Sequence, residues 1–396
     1  MAVIYQSGTR LMANVATKTP DVTTAVALVD AAQYPLYAML SLNGVDLGSG
    51  LRIGIGNKKK ATNTTISFYQ DEYTPYRDTV TAAGYTASAT TVPVAHGAYF
   101  TRGDIVLNET KEDIMRVEAV SGNNLTVKRD VGGTTGQAGA SGEYLRIIGS
   151  AFAEDSLKAD AISVKKDKID NYQQIFKTLV SVSGDNLRSA DWTEDDLKNQ
   201  ERKKAVEHNI KIEQALLWGK KCETTDENGV MTRTMQGIIP NITTYAESGY
   251  GTTLSETEWN EFLADKVFKK GPKEKYFLGG VGVLAAINTF ARNRLEHISS
   301  DKTSGIAINK YVSPFGILNI LHEPLFDGSI YKGYGLVISP KDLTLRPMVD
   351  TRYDKNIQEN DRDGIRNQYF TEISLEQKNE PHFAILKGIT SGYAAS

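Results

Sequence analysis

The segment TEDDLKNQERKKAVEHNIKIEQALLWG (193–219) decides the fold, because it predicts one long helix from about Thr193 to Leu217. Acidic residues cluster at its start and basic residues follow, an order that complements the helix dipole. Apolar side chains form a stripe toward its C-terminal half, and Gly219 is placed to end it. Such a helix is about 38 Å long. We expect it to span a domain rather than to lie inside a bundle.

Upstream of the helix, residues 80–150 are predicted to form a small all-β module. Short runs of strand-forming residues alternate there with turns such as Ser121-Gly122-Asn123-Asn124, and Gly132–Gly142 is a flexible loop. The flanking sequence mixes helical and strand patterns, so the module is expected to be inserted into a different domain. The predicted strands are Thr91–Val94, Asp104–Leu107, Ile114–Val120, Leu125–Arg129 and Tyr144–Ile148.

The first 66 residues are predicted to form an extended arm. One helical stretch lies within Asp21–Leu42, and Pro35 interrupts it. The arm has too little apolar periodicity for a core of its own, so it needs another surface to order it. A flexible tail is the alternative.

Downstream of the helix, residues 233–339 alternate helical and strand patterns. Ser255 and Glu258 form a capping box before one helix, and a second helix is predicted at Val283–Leu295. The tail then returns to long strands, which predicts an α+β fold whose chain leaves and re-enters one domain. The strands predicted in this half are Tyr276–Leu278, Ile317–Leu321, Gly335–Ile338, Leu343–Met348, Tyr369–Glu376 and Phe383–Gly388.

Composition excludes several classes of protein. The 396 residues include 45 basic and 48 acidic side chains, and this net charge of −3 argues against a dedicated reader of nucleic acid. The lone Cys222 excludes an intrachain disulfide and a cysteine-based zinc cluster. The sequence lacks a signal-peptide pattern and any apolar run of about 18 residues. We therefore expect a soluble protein of a reducing cytosol.

No motif predicts an enzyme. Gly280–Ala285 matches a dinucleotide-binding turn, but the downstream acid, Asp301, follows a polar loop rather than a strand, so a tight strand-to-helix turn is favoured. His322-Glu323 begins like a zinc-protease motif, but Phe326 stands where the second histidine is needed. The sequence therefore predicts no catalytic residues, no metal and no cofactor.

From residue 151 to the C-terminus, the order of motifs resembles the Hong Kong 97-type major capsid proteins of tailed phages. The segments that carry the resemblance are 171–183, like the strand that leaves the extended loop; 213–219, like the end of the spine helix; 235–238, like the entry to the axial domain; and 383–388, like the closing strand. Residues 65–79 and 84–149 look like the β-rich insertion of a subset of phage head proteins. The resemblance covers most of the chain through short motifs, and their order carries it.

The resemblance implies an α+β Hong Kong 97-type capsid fold with a small all-β insertion domain. The implied segments are an N-terminal arm (1–66), a strand leading to the insertion (67–79), the β-rich insertion domain (80–150), the extended loop (151–180), a peripheral domain with the spine helix (181–232), an axial domain (233–339) and the return strands of the peripheral domain (340–396).

The function that the resemblance implies is that of a structural protein. Copies of the chain would self-assemble, as hexamers and pentamers, in the host cytoplasm into an icosahedral or prolate head around double-stranded DNA. The extended loop would lie across a neighbour's spine helix, the arm would reach under the adjacent subunit, and the axial tip near 300–316 would lie at the capsomer centre. Other expected partners are portal and scaffolding proteins, a decoration protein and, without sequence specificity, the packaged DNA; no membrane is expected.

Candidate contact residues follow from this expectation. Candidate intersubunit contacts are Lys165, Lys166, Lys168, Asp191, Glu194, Arg202, Pro314, Phe315, Arg362 and Asp363, and candidate weak DNA contacts are Lys58, Lys59 and Lys60. Solvated charge is the alternative for the three lysines.

The family also suggests how a shell would close. Some members cross-link a loop lysine to a peripheral-domain asparagine, but Gly364 stands at that position here, so non-covalent closure is expected. The alternatives left open for the whole chain are an encapsulin-like nanocompartment shell, a hydrolase or nucleotide enzyme, and a tail-tube or baseplate protein.

Overall fold

The computed structural model forms two compact units. The described residues are 34–41, 43–46, 52–55, 57–81, 83–152, 154, 166–188, 196–251, 253–290, 295–297, 309–328, 330–361 and 363–389. Tyr69–Lys168 form one unit, called here the inserted unit. The described residues on both sides of it form the other, called here the core unit. Helices and strands are mixed along the chain, so the predicted α+β class is confirmed.

The described residues form short helices, one long helix and many strands. The helices are Pro35–Ser41 (α1), Gly184–Arg188 (α2), Asp196–Trp218 (α3), Ile238–Asn241 (α4), Glu256–Phe262 (α5) and Val281–Phe290 (α6). The strands are Asn43–Asp46 (β1), Arg52–Ile55 (β2), Thr65–Gln70 (β3), Arg77–Thr79 (β4), Thr91–Pro93 (β5), Asp104–Asn108 (β6), Asp113–Ser121 (β7), Asn124–Lys128 (β8), Tyr144–Ser150 (β9), Asp167–Tyr172 (β10), Gln174–Ser183 (β11), Cys222–Thr225 (β12), Met231–Thr234 (β13), Ala246–Glu247 (β14), Glu274–Gly279 (β15), Leu295–His297 (β16), Asn309–Ser313 (β17), Gly316–His322 (β18), Gly335–Ile338 (β19), Leu343–Asp354 (β20), Gly364–Gln377 (β21) and Ala384–Leu386 (β22).

The inserted unit is built on one six-stranded sheet in the order β4-β9-β6-β7-β8-β5, with antiparallel pairs throughout. Strands β6 and β8 bury every second residue, which is the pattern of a sheet with one packed face. The five strands predicted from the sequence are all present, with bounds shifted by at most two residues. Strand β4 adds Arg77–Thr79 to the sheet by pairing with β9, so this unit begins before residue 80.

Helix α3 lies on a three-stranded antiparallel sheet in the order β11-β21-β20. Its 23 residues give a length of about 35 Å. Gly219 ends it as predicted, because the chain turns back so tightly that a Cβ there would lie 2.5 Å from the Ala215 carbonyl oxygen and 2.6 Å from that of Met235. From Ile175 onward, strand β11 alternates between exposed and buried side chains. Of the buried ones, Phe176 belongs to the core that contains α3, and Thr178 lies 3.0 Å from His208 of that helix.

A seven-stranded sheet, in the order β14-β22-β19-β15-β18-β17-β16, organises the rest of the core unit. Its central strand β15 runs parallel to β18 and antiparallel to β19. Tyr276 and Leu278 of β15 face the core that contains α3, and Phe277 between them faces a second core with Trp259. The predicted capping box is confirmed, because Ser255 and Glu258 bond each other's backbone N–H groups at the start of α5.

Two predicted elements are wrong in extent or place. Helix α6 ends at Phe290, and Leu295, predicted to be its last residue, instead begins β16 and pairs with Tyr311. The last strand, Ala384–Leu386, belongs to the seven-stranded sheet between β14 and β19 and not with the return strands β20 and β21. All three of its side chains are buried, so it needs a position with cores on both faces.

Pro35 is the first residue of helix α1. Proline lacks an N–H and suits the first helical turn, where that group has no intrahelical partner. Leu36, Met39 and Leu40 of α1 are at most 1% exposed and belong to the core that contains α3. This part of the predicted arm therefore packs on its own chain. Residues 1–33 of the arm lie outside the described residues.

A buried histidine joins α3 to the sheet. His208 is fully buried; its Nδ1 lies 3.0 Å from the Thr178 hydroxyl and its Nε2 lies 2.8 Å from the Thr371 hydroxyl. Burial, and to a smaller extent the nearby Lys211 charge, lowers the pKa of His208 to about 4. The imidazole is therefore neutral at neutral pH and links strands β11 and β21 to the helix.

Replacing this histidine is predicted to change the acid stability of the protein. In the unfolded chain a histidine is protonated near its ordinary pKa of about 6.5, whereas His208 in the folded chain stays neutral until about pH 4. The stability that neutral His208 contributes is therefore present at neutral pH and is lost as pH falls from about 6.5 to about 4. We expect His208→Gln to cost on the order of 1–3 kcal/mol at neutral pH. Urea unfolding should also show a smaller difference between neutral pH and about pH 4.5 than in the unmodified chain. An unchanged pH difference would contradict this role.

Candidate functional site

The glycine turn that resembles a nucleotide site is filled by the protein itself. A Cβ at Gly280 or at Gly282 would lie within 2.9 Å of the Lys332 carbonyl oxygen. The first N–H of helix α6, on Val281, donates to the Asp327 carboxylate at 3.3 Å. The glycines thus admit a neighbouring turn of the same chain, and an acid occupies the helix start where a phosphate would have to bind. The prediction of a tight strand-to-helix turn is confirmed.

The residues that resemble a zinc-protease motif also have other partners or positions in the fold. His322 Nε2 lies 3.0 Å from the Asp327 carboxylate, whereas Glu323 is fully buried. Across the described ranges, no three His, Cys, Asp or Glu side chains gather as metal ligands would. The same part of the chain contains no helix both long and apolar enough to cross a membrane.

The outer face of the three-stranded sheet carries an apolar strip framed by cations. On edge strand β11, the side chains of Ile175 and Leu179 are 54% and 47% exposed. Beside them on β21, the Phe370 ring has the Lys177 Nζ at 5.7 Å and the Arg352 Cζ at 4.8 Å from its centroid. These five residues, called here the outer face, combine apolar, aromatic and arginine side chains as protein interfaces do. Exposed apolar side chains on an edge strand favour binding to another chain.

A second exposed surface lies at the turn between β17 and β18. Pro314 and Phe315 form the turn, and both are exposed. An open groove of about 560 Å³ runs beside them, with Lys273 and Lys341 in its lining. The structure therefore places these two candidate contact residues at an exposed turn with an aromatic ring and nearby positive charge. Residues 300–308 of the predicted axial tip lie outside the described residues.

The inserted unit exposes a group of tyrosines that the sequence analysis missed. Tyr73 is 99% exposed, and Tyr144 of β9 is stacked by Arg77, whose Cζ lies 3.7 Å from the ring centroid. Arg77 and Arg146 both pair with Glu109, at 2.5 and 2.7 Å. The run YQDEYTPYR (69–77) could have predicted this surface from the sequence, because three tyrosines in a short, otherwise polar connecting segment are unusual.

The other candidate intersubunit contacts that the structure describes lie on separate elements. Lys166 and Lys168 are exposed at the start of β10, and Arg202 is exposed on α3. Asp363 lies against Gly184, where an added Cβ would meet its carboxylate at 2.1 Å. The remaining four, Lys165, Asp191, Glu194 and Arg362, lie outside the described residues.

The candidate DNA-contacting lysines run along the edge of the three-stranded sheet. Lys58 forms a parallel bridge with Leu345 of β20, and its ammonium pairs with the Asp350 carboxylate. Lys59 and Lys60 are exposed. The ion pair neutralises one of the three charges, so any contact with a polyanion would depend mainly on the other two.

Gly364 occupies a position that disfavours any other residue. Its φ of 140° lies in a region that side-chain-bearing residues rarely adopt, and a Cβ there would approach the Val182 carbonyl oxygen to 2.6 Å. An asparagine at this position would strain the pairing of β21 with β11. This geometry supports the expectation that closure does not use an asparagine at residue 364.

Comparison with known proteins identifies the family. A sequence profile described as SU10 major capsid protein matches residues 6–390. A curated major capsid protein of Pseudomonas phage PaMx41 is 32% identical over 174 residues. This match covers 43% of the present chain and 41% of the relative, so the chain spans about two fifths of that relative's length.

Solved structures show partial likeness. A structure from Microbacterium phage Oxtober96 covers 96% of this chain and 98% of its own, with a TM-score of 0.46 and 10% identity. The holo-SrpI encapsulin complex from Synechococcus elongatus PCC 7942 covers 57% of this chain and 78% of its own, with a TM-score of 0.40 and 12% identity. The assignment rests instead on the profile match, which extends over nearly the whole sequence. The chain belongs to the SU10 major capsid protein family.

Proposed function

We propose that this chain is the structural subunit of a phage head and that its copies assemble into a closed shell around double-stranded DNA. Family membership supports this function. The structural observation that carries it is the outer face, where Ile175 and Leu179 on the edge strand β11 and Phe370 on the neighbouring strand β21 form an apolar strip. A protein that remained a monomer would gain nothing from this exposure, whereas a shell subunit covers such surfaces repeatedly by symmetry.

The Hong Kong 97-type organisation is part of the same proposal. Helix α3 is the spine helix, and the sheet of β11, β21 and β20 belongs to the peripheral domain. The seven-stranded sheet is the axial domain, and Pro314 and Phe315 lie at its tip. The two-stranded sheet of β3 and β10 begins the extended loop, which carries the inserted unit. The order of these elements along the chain supports the assignment.

Self-association in this scheme uses modest contacts without a covalent bond. The outer face supplies apolar area, and the exposed turn at Pro314 and Phe315 supplies a second surface. The exposed Lys59 and Lys60 contribute weak, sequence-independent attraction to DNA. Portal, scaffolding and decoration proteins are the further partners of a head of this kind, and assembly takes place in the host cytoplasm. The chain performs no catalysis in this role.

An encapsulin-like nanocompartment is the second candidate. The sequence leaves this candidate open, because encapsulin-like shells share the Hong Kong 97-type fold that the resemblance implies. The contents of the purified particles distinguish the two functions. DNA inside particles assembled in infected cells supports the phage head, and an enclosed enzyme supports the nanocompartment.

Light scattering after size-exclusion chromatography tests the proposal. The full chain has a mass of 43.5 kDa, so assembly into rings or shells raises the measured mass by at least fivefold. We expect species of this size or larger, alone or with a co-expressed scaffolding protein. A single species at the monomer mass under all these conditions would contradict the proposal.

A further inference from the structure

Two buried glutamates meet where helix α1 contacts helix α3. Glu213 of α3 and Glu323, which follows β18, are both 0% exposed. The Glu213 carboxylate accepts the N–H of Leu36 at 2.8 Å and that of Tyr37 at 2.5 Å, both in the first turn of α1. Glu213 thereby ties the described part of the N-terminal segment to the core through two backbone hydrogen bonds.

Glu323 completes the pair. Its Oε1 accepts the Leu325 N–H at 3.3 Å, and its Oε2 is buried with no hydrogen-bond partner of standard geometry. The two carboxyl groups are neighbours, and the charge of one acts on the other.

The surroundings offer this pair no positive charge. The titratable groups that face it are Tyr37 on α1 and Asp327 in the turn after Glu323. The charges and hydrogen bonds that act most strongly on the two carboxyl groups include no lysine, arginine or histidine. Two adjacent carboxylates without a cation cannot both ionise in a buried site, because desolvation and mutual repulsion add.

Protonation is therefore the natural state of this site in mildly acidic solution. Burial raises the pKa of Glu213 to about 8, against the opposing effect of the N–H groups of Tyr37 and Leu36. Burial, followed by the Glu213 charge, raises the pKa of Glu323 well above its ordinary range. A raised folded-state pKa gives stability that is complete below about pH 4.5 and is lost as pH rises toward about 8.

We propose that the Glu213–Glu323 carboxyl pair is a proton-retaining latch that holds helix α1 on the core in mildly acidic solution and weakens its attachment as pH rises. In the rare, transient openings that hydrogen exchange reports, α1 leaves the core, water reaches the carboxyl groups, and each releases its proton to solvent. The attachment of the N-terminal segment is thus coupled to pH. This property belongs to the single chain and does not depend on the shell function.

Hydrogen exchange on the full chain tests the latch. Protection of a peptide covering residues 34–41 is followed at about pH 5.5, 6.5 and 7.5 and corrected for intrinsic exchange. The equilibrium constant for closing is expected to fall by up to about 100-fold per pH unit, a factor of ten for each retained proton. Glu323→Gln keeps a hydrogen-bond donor beside Glu213 and should reduce the change in this equilibrium constant to about tenfold per pH unit. Glu213→Gln/Glu323→Gln should abolish its pH dependence.

A matched control separates local opening from general unfolding. Helix α5 packs in the second core, away from the pair, so its exchange reports changes that affect the whole unit. Equal pH dependence of α1 protection in the unmodified chain and the double variant would overturn the latch. If α1 is unprotected from exchange at every pH in the double variant, the single variant Glu323→Gln is the test. A pH dependence of α1 protection as steep as in the unmodified chain then overturns the proposal, and a shallower pH dependence supports it.

Discussion

Removal of residues 1–50 is expected to leave a chain that no longer folds stably, whereas removal of residues 1–33 keeps helix α1 and its core contacts. The longer deletion takes away helix α1, whose Leu36, Met39 and Leu40 are at most 1% exposed. Truncating one such core side chain typically costs about 2–5 kcal/mol, and the loss of three together approaches the whole stability of a typical domain. The 1–50 deletion is therefore unsuitable as a test of assembly, because a misfolded subunit and a folded subunit that cannot assemble would give the same result.

Circular dichroism and urea unfolding of the two deletions measure this difference. The 1–33 deletion, which keeps α1, should unfold cooperatively, and the 1–50 deletion should aggregate or show no cooperative transition. Particle assays then apply to the shorter deletion alone. Under the proposed function, subunits without residues 1–33 stay soluble but do not close shells. Closed particles of normal size from this deletion would show that the segment is dispensable for closure.

Two charges placed on the outer face are expected to abolish assembly without unfolding the subunit. Ile175→Asp/Leu179→Asp changes exposed positions of an edge strand, so the cost to the isolated chain is small. Burying two introduced carboxylates in an interface costs several kcal/mol of desolvation, which the nearby Lys177 and Arg352 offset only in part. We expect at least a 100-fold increase in the protein concentration that gives assemblies, which corresponds to about 2.8 kcal/mol.

The matched control adds the same two charges elsewhere. Asn124→Asp/Thr126→Asp alters exposed positions on β8 of the inserted unit. Sedimentation velocity over a concentration series compares the two variants, and thermal unfolding establishes that both are folded. Normal assembly by the β11 variant would remove the outer face from the set of intersubunit surfaces. Equal loss in both variants would attribute the effect to net charge rather than to the place of the substitutions.

Local patterns predicted much of the fold. The polarity of residues 193–219 located α3, because acidic and basic ends and a terminal glycine act through the helix itself. The strands of the inserted unit followed from turn residues between short apolar runs. The capping box at Ser255 was visible for the same reason, since both of its partners lie within one turn. Features that depend on residues close in sequence could thus be predicted from the sequence alone.

Features that depend on contacts between distant parts of the chain could not be predicted from the sequence. Helix α6 ends early because Leu295 pairs with Tyr311 in another strand, and β22 joins a sheet whose other members precede it by many residues. Strand β11 has apolar residues on both faces, so its alternation could not reveal that Ile175 and Leu179 face outward. Glu213 resembles any charged residue of a helix until Leu36 and Tyr37 are brought to it from 177 and 176 residues away.

Electron microscopy of negatively stained, purified full-length protein tests the central claim most directly. A shell subunit whose surfaces meet by symmetry is expected to give closed particles of uniform diameter, or rings of five and six subunits when closure needs a scaffolding protein. Co-expression with such a protein should convert the rings to shells. Dispersed small particles of monomer size with and without it, and no rings at any concentration tested, would contradict the account.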